Sequence, residues 1–212
     1  DLRAREERIG AILLRIGRID EAGLGRIVEL QRRTNAPFAR AARHLGLLSR
    51  DDIQTAIGVE QGIVAPDAGE GRLPPGLIVA RRPSSPGAEA FRALRTRLVT
   101  GRDAERLNLF SIASIASARE VDHVAANLAA AFAQIKKRTL IVDADLRGSR
   151  LSRLFSLPKG PGLAEALRGD ADLRDAIRPT IVANLSALTS GDVDASAHEL
   201  LAGPLLDPTL AW

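Results

Sequence analysis

A 24-residue pattern occurs twice near the start of this 212-residue chain, at Arg8–Gln31 and, five residues later, at Pro37–Glu60. The copies agree in their apolar positions and turn glycines: Ile9 with Phe38, Leu13 with Ala42, Gly17 with Gly46, Ile19 with Leu48, Leu24 with Ile53, and Val28 with Ile57. Asp20 and Ser49 each precede a new apolar period, where a helix N-cap is expected. The pattern predicts a small all-α domain of tandem helix–turn–helix repeats over residues 1–61.

The rest of the chain has a different pattern. Residues 62–87 are rich in Gly and Pro, which is typical of a linker. Short apolar runs then alternate with helical periodicity over residues 88–212, which predicts an α/β domain with a parallel sheet. We expect strands at Leu107–Ala113, at Thr139–Val142, which looks like a buried parallel strand, and at Leu185–Leu188. We expect helices at Val121–Lys136, Gly162–Leu167 and Leu173–Ile177.

Composition excludes several classes of function. Lys and Arg number 30 against 26 acidic residues, and a net charge of +4 spread along the chain is weak support for nucleic acid, which is not an expected partner. The chain has no Cys, so disulfides and thiolate chemistry are absent. His44, His123 and His198 show no metal-ligand spacing, and no metal site is expected from them. No apolar run reaches the ~18 residues of a membrane span, so a cytoplasmic location is expected.

The first copy carries a specific series of residues: Arg8, Ile9, Gly10, Leu13, Leu14, Gly17, Ile19, Leu24, Val28 and Gln31. This series resembles the MshEN domain, known from the N-termini of secretion-type ATPases, which binds cyclic di-GMP through two such motifs. The resemblance implies that these residues bind cyclic di-GMP together with Phe38, Gly46 and Leu48 of the second copy. In such a site an Arg donates to a guanine edge or a phosphate, and a Gly allows close backbone approach.

Several positions depart from that motif. Arg18 occupies an apolar position, while Pro37, Ala39 and Glu60 replace the Arg, the Gly and the Gln of the second copy. Loss of one charge-assisted Arg contact costs roughly 1.5–3 kcal/mol of binding. Two other interpretations therefore stay open, a docking module of the same fold without a ligand and a plain helical bundle formed by duplication.

Five segments of the second half occur in the same order as in one protein family: Glu89–Arg95, Thr139–Arg147, Gly162–Gly169, Asn184–Gly191 and His198–Leu201. Together they resemble the cytoplasmic domain of bacterial tyrosine kinases that control polysaccharide chain length and export, which has a P-loop fold of the MinD/ParA type. The resemblance implies that Asp143 of the Asp143-x-Asp145 pair lies near Mg²⁺ and nucleotide phosphates. It also implies that Glu89, Arg92 and Arg95 mediate self-association, whereas the alternative is a local pair between Glu89 and Arg92.

The same alignment places the phosphate-binding loop at Ser117–His123, where the expected residues are missing. Ala118 and Glu120 stand at glycine positions, Val121 replaces the Lys, and Asp122 and His123 replace the hydroxyl residues. Each carboxylate would repel a phosphate by about 3 kcal/mol at ~5 Å and an effective dielectric near 20. ATP and Mg²⁺ are therefore not expected to bind. Asp143 and Asp145 then have a structural interpretation, in which Asp143 ends a buried strand and Asp145 caps the next turn.

Three hypotheses follow for the function. The first is a non-catalytic pseudokinase that senses cyclic di-GMP, docks on a membrane co-polymerase of the chain-length type at the inner membrane, and regulates exopolysaccharide assembly. The alternative is an active, ATP-dependent tyrosine autokinase of the same pathway whose remaining parts, including the Tyr-rich tail and a further metal-site Asp, follow Trp212. The third is a partition-type ATPase, which needs the same phosphate loop. The chain contains no Tyr.

Overall fold

The computed structural model describes residues 2–65, 73–100, 109–113, 118–146, 150–192 and 197–203. Its contacts divide the chain into two compact units, Asp1–Leu73 and Pro74–Trp212. The finer division into a domain over residues 1–61, a linker and a second domain from residue 88 stays a prediction.

Unit 1 contains four helices in its described residues: α1 Leu2–Arg15, α2 Glu21–Thr34, α3 Phe38–His44 and α4 Arg50–Glu60. The two predicted N-caps are confirmed. Asp20 Oδ1 accepts the backbone N–H of Gly23 at 2.7 Å, and Ser49 forms a capping box with Asp52. Each cap satisfies a backbone donor that has no partner within its helix.

The apolar residues of both copies form one core in unit 1, among them Ile9, Leu13, Ile27, Phe38, Ala42, Leu48 and Ile53. Each helix packs mainly on a helix of the other copy, α1 against α4 and α2 against α3. Gly17 and Gly46 have φ values of 68° and 66°, a left-handed conformation that favours glycine at the end of α1 and α3. The shared turn glycines therefore reverse the chain at the same point of each copy.

Unit 2 contains six α-helices and one 3-10 helix in its described residues. They are α5 Ile78–Arg81, α6 Pro86–Thr100, α7 Ala118–Ala133, α8 Leu151–Leu154, α9 Leu163–Arg168, α10 Leu173–Ala176 and a 3-10 helix at Ala197–Ala202. The predicted helices at Val121–Lys136 and Gly162–Leu167 are confirmed as α7 and α9. The end of α7 is followed by Lys136 at a φ of 60°, where the right-handed helix cannot continue.

Three strands form the described sheet of unit 2: β1 Thr139–Val142, β2 Ile177–Pro179 and β3 Leu185–Leu188, in the order β1–β3–β2. β1 and β3 are parallel, with Thr139 opposite Leu185, whereas β2 is antiparallel to β3. The prediction of a parallel sheet is correct for β1 and β3 and wrong for β2. The sequence does not predict β2, because Pro179 lacks a backbone N–H and so argues against a strand. In the structure Pro179 is tolerated because β2 lies at the edge of the described sheet.

Two further predictions need correction. Residues 109–113 form no strand, and the first two residues of the predicted strand Leu107–Ala113 lie outside the described residues. β1 is not fully buried, because Leu140 is 41% exposed while Ile141 is buried. Within the described ranges, no helix is long and apolar enough to cross a membrane.

Candidate functional site

The candidate site lies at the carboxyl end of β1, where Asp143 directly follows the strand. The backbone N–H of Asp143 donates to the carbonyl of Leu188 at 2.8 Å, which extends the β1–β3 ladder by one residue. Ligands of open α/β sheets bind beyond the carboxyl ends of their parallel strands. Asp143 is therefore positioned by the strand pairing.

Asp143 is buried, with 6% of its surface exposed, and its carboxyl group accepts hydrogen bonds from backbone N–H groups. Its Oδ1 accepts the N–H of Asp145 at 3.1 Å, and its Oδ2 accepts the N–H of Leu151 at 3.5 Å. Burial raises the pKa of Asp143 above its ordinary value, and the neighbouring Asp122 raises it further, against the lowering effect of the backbone N–H groups. Asp143, rather than Asp145, thus caps the turn after β1.

Arg150 lies between two carboxylates at this end of the sheet. Its Nη1 is 3.6 Å from Asp122 Oδ2 on α7, and its Nη2 is 3.8 Å from Asp145 Oδ2. Asp122 Oδ2 is buried and accepts no hydrogen bond from the residues that the structure describes. The site therefore combines three carboxylates and one guanidinium from two separate stretches of the chain.

This donor set is compatible with a divalent cation and a phosphate. Mg²⁺ prefers oxygen ligands and is typically bound by one or two carboxylates together with water and substrate phosphates. Asp143 and Asp122, which are close enough to repel each other electrostatically, provide such a pair. The described residues contain no group of three or more His, Cys, Asp or Glu side chains that could hold a metal ion, so Mg²⁺ there would need water and phosphate oxygens as its other ligands.

The stretch matched to the phosphate loop is helical from Ala118 onward. Glu120 is exposed, while Val121 is partly buried. The His123 imidazole packs on Gly76, since a Cβ placed at Gly76 would overlap its ring. Ser117 lies outside the described residues. Asp122 is thus the member of this predicted group that reaches the Asp143 site.

The residues predicted to bind cyclic di-GMP separate into two groups in unit 1. Ile9, Leu13, Phe38 and Leu48 are buried in its core. Leu14, Leu24 and Val28 line an open groove together with Gly25 and Arg32, among others. Only the second group is placed to meet a ligand without opening the core.

The polar members of that prediction have partners within unit 1. Arg8 forms an ion pair with Glu60 at 3.3 Å, and Gln31 Nε2 donates to Glu6 Oε2 at 2.9 Å and to the Ala36 carbonyl at 3.2 Å. The first position of the first copy, Arg8, therefore pairs with the last position of the second copy, Glu60, whereas Gln31 bonds residues that precede the two copies. Gly10 packs under Leu24, Ile19 lies against the core, and Gly17 and Gly46 form the turns.

On α6, the predicted self-association residues make local contacts. Arg92 Nη2 donates to Glu89 Oε2 at 2.6 Å and to the Pro83 carbonyl at 2.7 Å. Arg95 Nη1 donates to the Ala131 carbonyl of α7 at 2.9 Å. The local Glu89–Arg92 pair, one of the two alternatives, is therefore present.

Three residues of structural or chemical importance were not found from the sequence. Arg150 and Asn127 carry no recognisable signal, because their decisive partners lie 28 to 51 positions away along the chain: Asp122 for Arg150, and Gly76 and Val79 for Asn127. Glu165 could have been found, since the Gly162-x-x-Glu165 spacing is that of a capping box. Its Oε2 accepts the N–H of Gly162 and its Oε1 that of Asp192, each at 2.8 Å.

The parallel strand pair, the strand-end carboxylate and the adjoining cation define an α/β domain suited to a metal ion and phosphate. No protein-family model matches the chain. It is 35% identical over 125 residues to tyrosine-protein kinase Ptk of Acinetobacter johnsonii, which covers 59% of this chain and 17% of that protein. It is also 30% identical over 130 residues to tyrosine-protein kinase YwqD of Bacillus subtilis strain 168, covering 61% of this chain and 55% of that protein.

Solved structures give the same class. The chain resembles the BceF tyrosine kinase domain, with a TM-score of 0.58 and 30% identity over 64% of this chain and 54% of that one. It resembles the kinase domain of the Escherichia coli tyrosine kinase ETK with a TM-score of 0.56 and 29% identity, over 65% of this chain and 54% of that one. The relatives are bacterial tyrosine-protein kinases, and the structural neighbours are their kinase domains.

These findings correct two expectations. The prediction of a non-catalytic protein is wrong, because the relatives and structural neighbours are named as tyrosine kinases. The prediction that ATP and Mg²⁺ are not used is wrong for the same reason, since a kinase takes its phosphoryl group from a metal-bound nucleoside triphosphate. These proteins lend no support to an MshEN domain or to cyclic di-GMP.

Proposed function

We propose that unit 2 acts as the ATP-dependent domain of a bacterial tyrosine kinase that serves exopolysaccharide assembly. The observation that carries this proposal is the buried Asp143 carboxylate at the end of β1, beside Asp122 and Arg150. The chain spans 17% of Ptk and 55% of YwqD, so the activity of the whole protein is part of the proposal. The acceptor Tyr is not among these 212 residues, which contain none.

Asp143 and Asp122 would hold Mg²⁺ in this site. The bound ion supplies charge neutralisation on the triphosphate during transfer. Backbone donors orient the Asp143 carboxylate, and burial excludes water from it. A carboxyl group whose pKa is raised by burial and by a second carboxylate gives up its proton when a cation binds, so metal affinity is expected to rise with pH.

Phosphotyrosine formation by the natural full-length protein tests the proposal. The protein is incubated with ATP and Mg²⁺, and phosphate on Tyr is measured with radiolabelled ATP. We expect transfer that Asp143→Asn reduces by at least ~100-fold, because one of two metal-binding carboxylates is lost. Asp170→Asn, at an exposed Asp of the same unit, is the matched control. Absence of transfer by the wild type, or equal transfer by Asp143→Asn, would contradict the proposal.

A second function is proposed for unit 1, the binding of cyclic di-GMP. The favouring observation is the groove in which Leu14, Leu24 and Val28 of the first copy lie beside Arg32; Glu21 and Glu29 also line it, so the phosphate must lie on the Arg32 side. Apolar side chains there would cover the base and ribose, and Arg would meet a phosphate. Calorimetric titration of wild type and of Arg8→Ala, Arg32→Ala and Arg33→Ala tests this. We expect weaker binding for Arg32→Ala, which lines the groove, and unchanged binding for Arg33→Ala; a loss with Arg8→Ala as well would place the ligand on the first motif as a whole. No heat with wild type would contradict cyclic di-GMP binding and favour a docking module without a ligand.

Self-association and docking on a membrane protein are also proposed for this chain. The Glu89, Arg92 and Arg95 face of α6 is proposed to contact a second copy of the chain, and the protein to dock on a membrane co-polymerase. Glu89 is the exposed member of this face, since its side chain is 70% exposed. Sedimentation velocity of wild type and Glu89→Ala at several concentrations tests self-association, and an unchanged distribution of species would contradict it.

A further inference from the structure

The phosphate-binding site of unit 2 has a charge problem that its sequence alone does not solve. Val121 stands where the resemblance to tyrosine kinases implies a Lys, and Asp122 adds a negative charge beside Asp143. A triphosphate needs cationic partners, because carboxylates without them repel it. A cation from another part of the fold can meet this need.

Among the described residues, Arg150 is a cation that the fold brings to this place. It precedes α8, seven residues after Asp143, and its guanidinium lies 3.6 Å from Asp122 Oδ2 on the helix that begins at Ala118. Its backbone N–H also interacts with the Asp143 carboxyl group. The Arg150 side chain is 39% exposed, so a ligand can reach it from solvent.

We propose that Arg150 binds the terminal phosphates of the nucleotide and replaces the missing loop Lys. This inference rests on the proposed kinase function and names the residue that makes phosphate binding feasible there. A guanidinium donates two parallel hydrogen bonds to phosphate oxygens, which a Lys ammonium cannot do. Without nucleotide, Asp122 and Asp145 balance the charge of Arg150 at ion-pair distances of 3.6 and 3.8 Å.

Phosphate and Asp122 then compete for the same guanidinium. When nucleotide binds, phosphate oxygens take the place of the Asp122 carboxylate at Arg150, and that carboxylate becomes available to the metal ion. Asp122 Oδ2 suits this exchange, because it is buried and accepts no hydrogen bond from the described residues. Removal of the Asp122 charge should therefore strengthen metal-free nucleotide binding, and more so when Arg150 is present.

Nucleotide affinity is measured by titrating a fluorescent ATP analogue, with Mg²⁺, into the full chain. We expect Arg150→Gln to weaken binding about 10–100-fold, which is the loss of one charge-assisted phosphate contact. Arg150→Lys should lose less, since it keeps the charge. Arg153→Gln, at an exposed Arg of α8, is the matched control and should bind like wild type. Circular dichroism of each variant verifies that it is folded.

A double-mutant cycle with Asp122→Asn separates phosphate binding from a merely structural role. Binding of the analogue is measured with a chelator present, so that no divalent cation contributes. We expect Asp122→Asn to tighten binding about 3–10-fold with Arg150, and clearly less in the Arg150→Gln background. Equal tightening in both backgrounds would overturn the role of Arg150.

The outcomes distinguish the two proposals. Nucleotide binding by wild type that is unchanged in Arg150→Gln would refute the Arg150 assignment and leave the kinase proposal standing. No nucleotide binding by wild type would refute the kinase proposal and the inference with it. Weaker binding in Arg150→Gln, with Arg153→Gln unchanged and coupling to Asp122, would support both.

Discussion

Asn127 Oδ1 accepts the backbone N–H of Val79 at 3.0 Å, and Asn127 Nδ2 donates to the carbonyl of Gly76 at 2.7 Å. A third bond joins Nδ2 to the carbonyl of His123 at 2.8 Å. This buried amide ties the start of unit 2 to the middle of α7. The same helix carries Asp122, so Asn127 supports the position of the candidate site.

Substitution of Asn127 should destabilise unit 2 strongly. Asn127→Ala leaves the buried N–H of Val79 without its partner, and an unsatisfied buried group costs about 1–3 kcal/mol. It also removes a bond to the carbonyl of Gly76, which keeps only the N–H of Ile78. We expect a loss of roughly 2–4 kcal/mol in the free energy of unfolding, measured by urea titration with circular dichroism. Thr96→Ala, at an exposed site of α6, should change it by less than about 0.5 kcal/mol. Equal effects would contradict the inferred role of Asn127.

Gly162 should not tolerate a side chain. A Cβ at this position would overlap the carbonyl oxygen of Thr189 and the backbone nitrogen of Gly191, neither of which can rotate away. Gly162→Ala is expected to cost more than ~2 kcal/mol of stability, as overpacking typically does. Gly160→Ala, whose nearest neighbour is the Arg178 guanidinium at 3.5 Å, should be close to neutral. Thermal unfolding of both variants provides the measurement.

The Asp143 carboxyl group should make wild-type stability fall as pH rises. Its pKa is raised in the folded state above 3.8, chiefly by burial. The folded protein therefore holds a proton that the unfolded chain releases, and stability declines from about pH 3.8 up to the folded pKa. The decline is about 1.4 kcal/mol for each unit of difference in pKa. Asp143→Asn should lack this component in a series of urea titrations against pH, while Asp170→Asn should retain it.

Glu165 should have the opposite pH dependence. Burial acts to raise its pKa, but the N–H groups of Gly162 and Asp192 and the charge of Arg168 bring it below 4.5. Its contribution to stability is then present above about pH 4.5 and is lost as pH falls through the lower, folded value. We expect Glu165→Gln to reduce stability by roughly 1–3 kcal/mol at pH 7, with a smaller difference in acid. A difference that grows toward low pH would contradict this assignment.

Local sequence signals predicted the local structure well. Asp20 and Ser49 were recognisable as caps because an N-cap bonds only to backbone a few residues away. β1 and β3 were recognisable as short apolar runs bounded by polar residues. The antiparallel β2 was not, because three residues ending in Pro179 carry too little pattern, and only pairing with β3 makes them a strand.

The caps, the repeat, the long helix α7 and the placement of Asp143 after a strand all follow from the sequence alone. Val121 also stands in place of the expected Lys, and the inference from this substitution that ATP does not bind is wrong. The position of Arg150 beside Asp122 and the bonds from Asn127 to Gly76 and Val79 depend on the tertiary fold. The physical reason is the range of the interactions. A cap bonds within one helical turn and apolar residues recur every three or four positions, whereas these contacts join residues 28 to 51 positions apart.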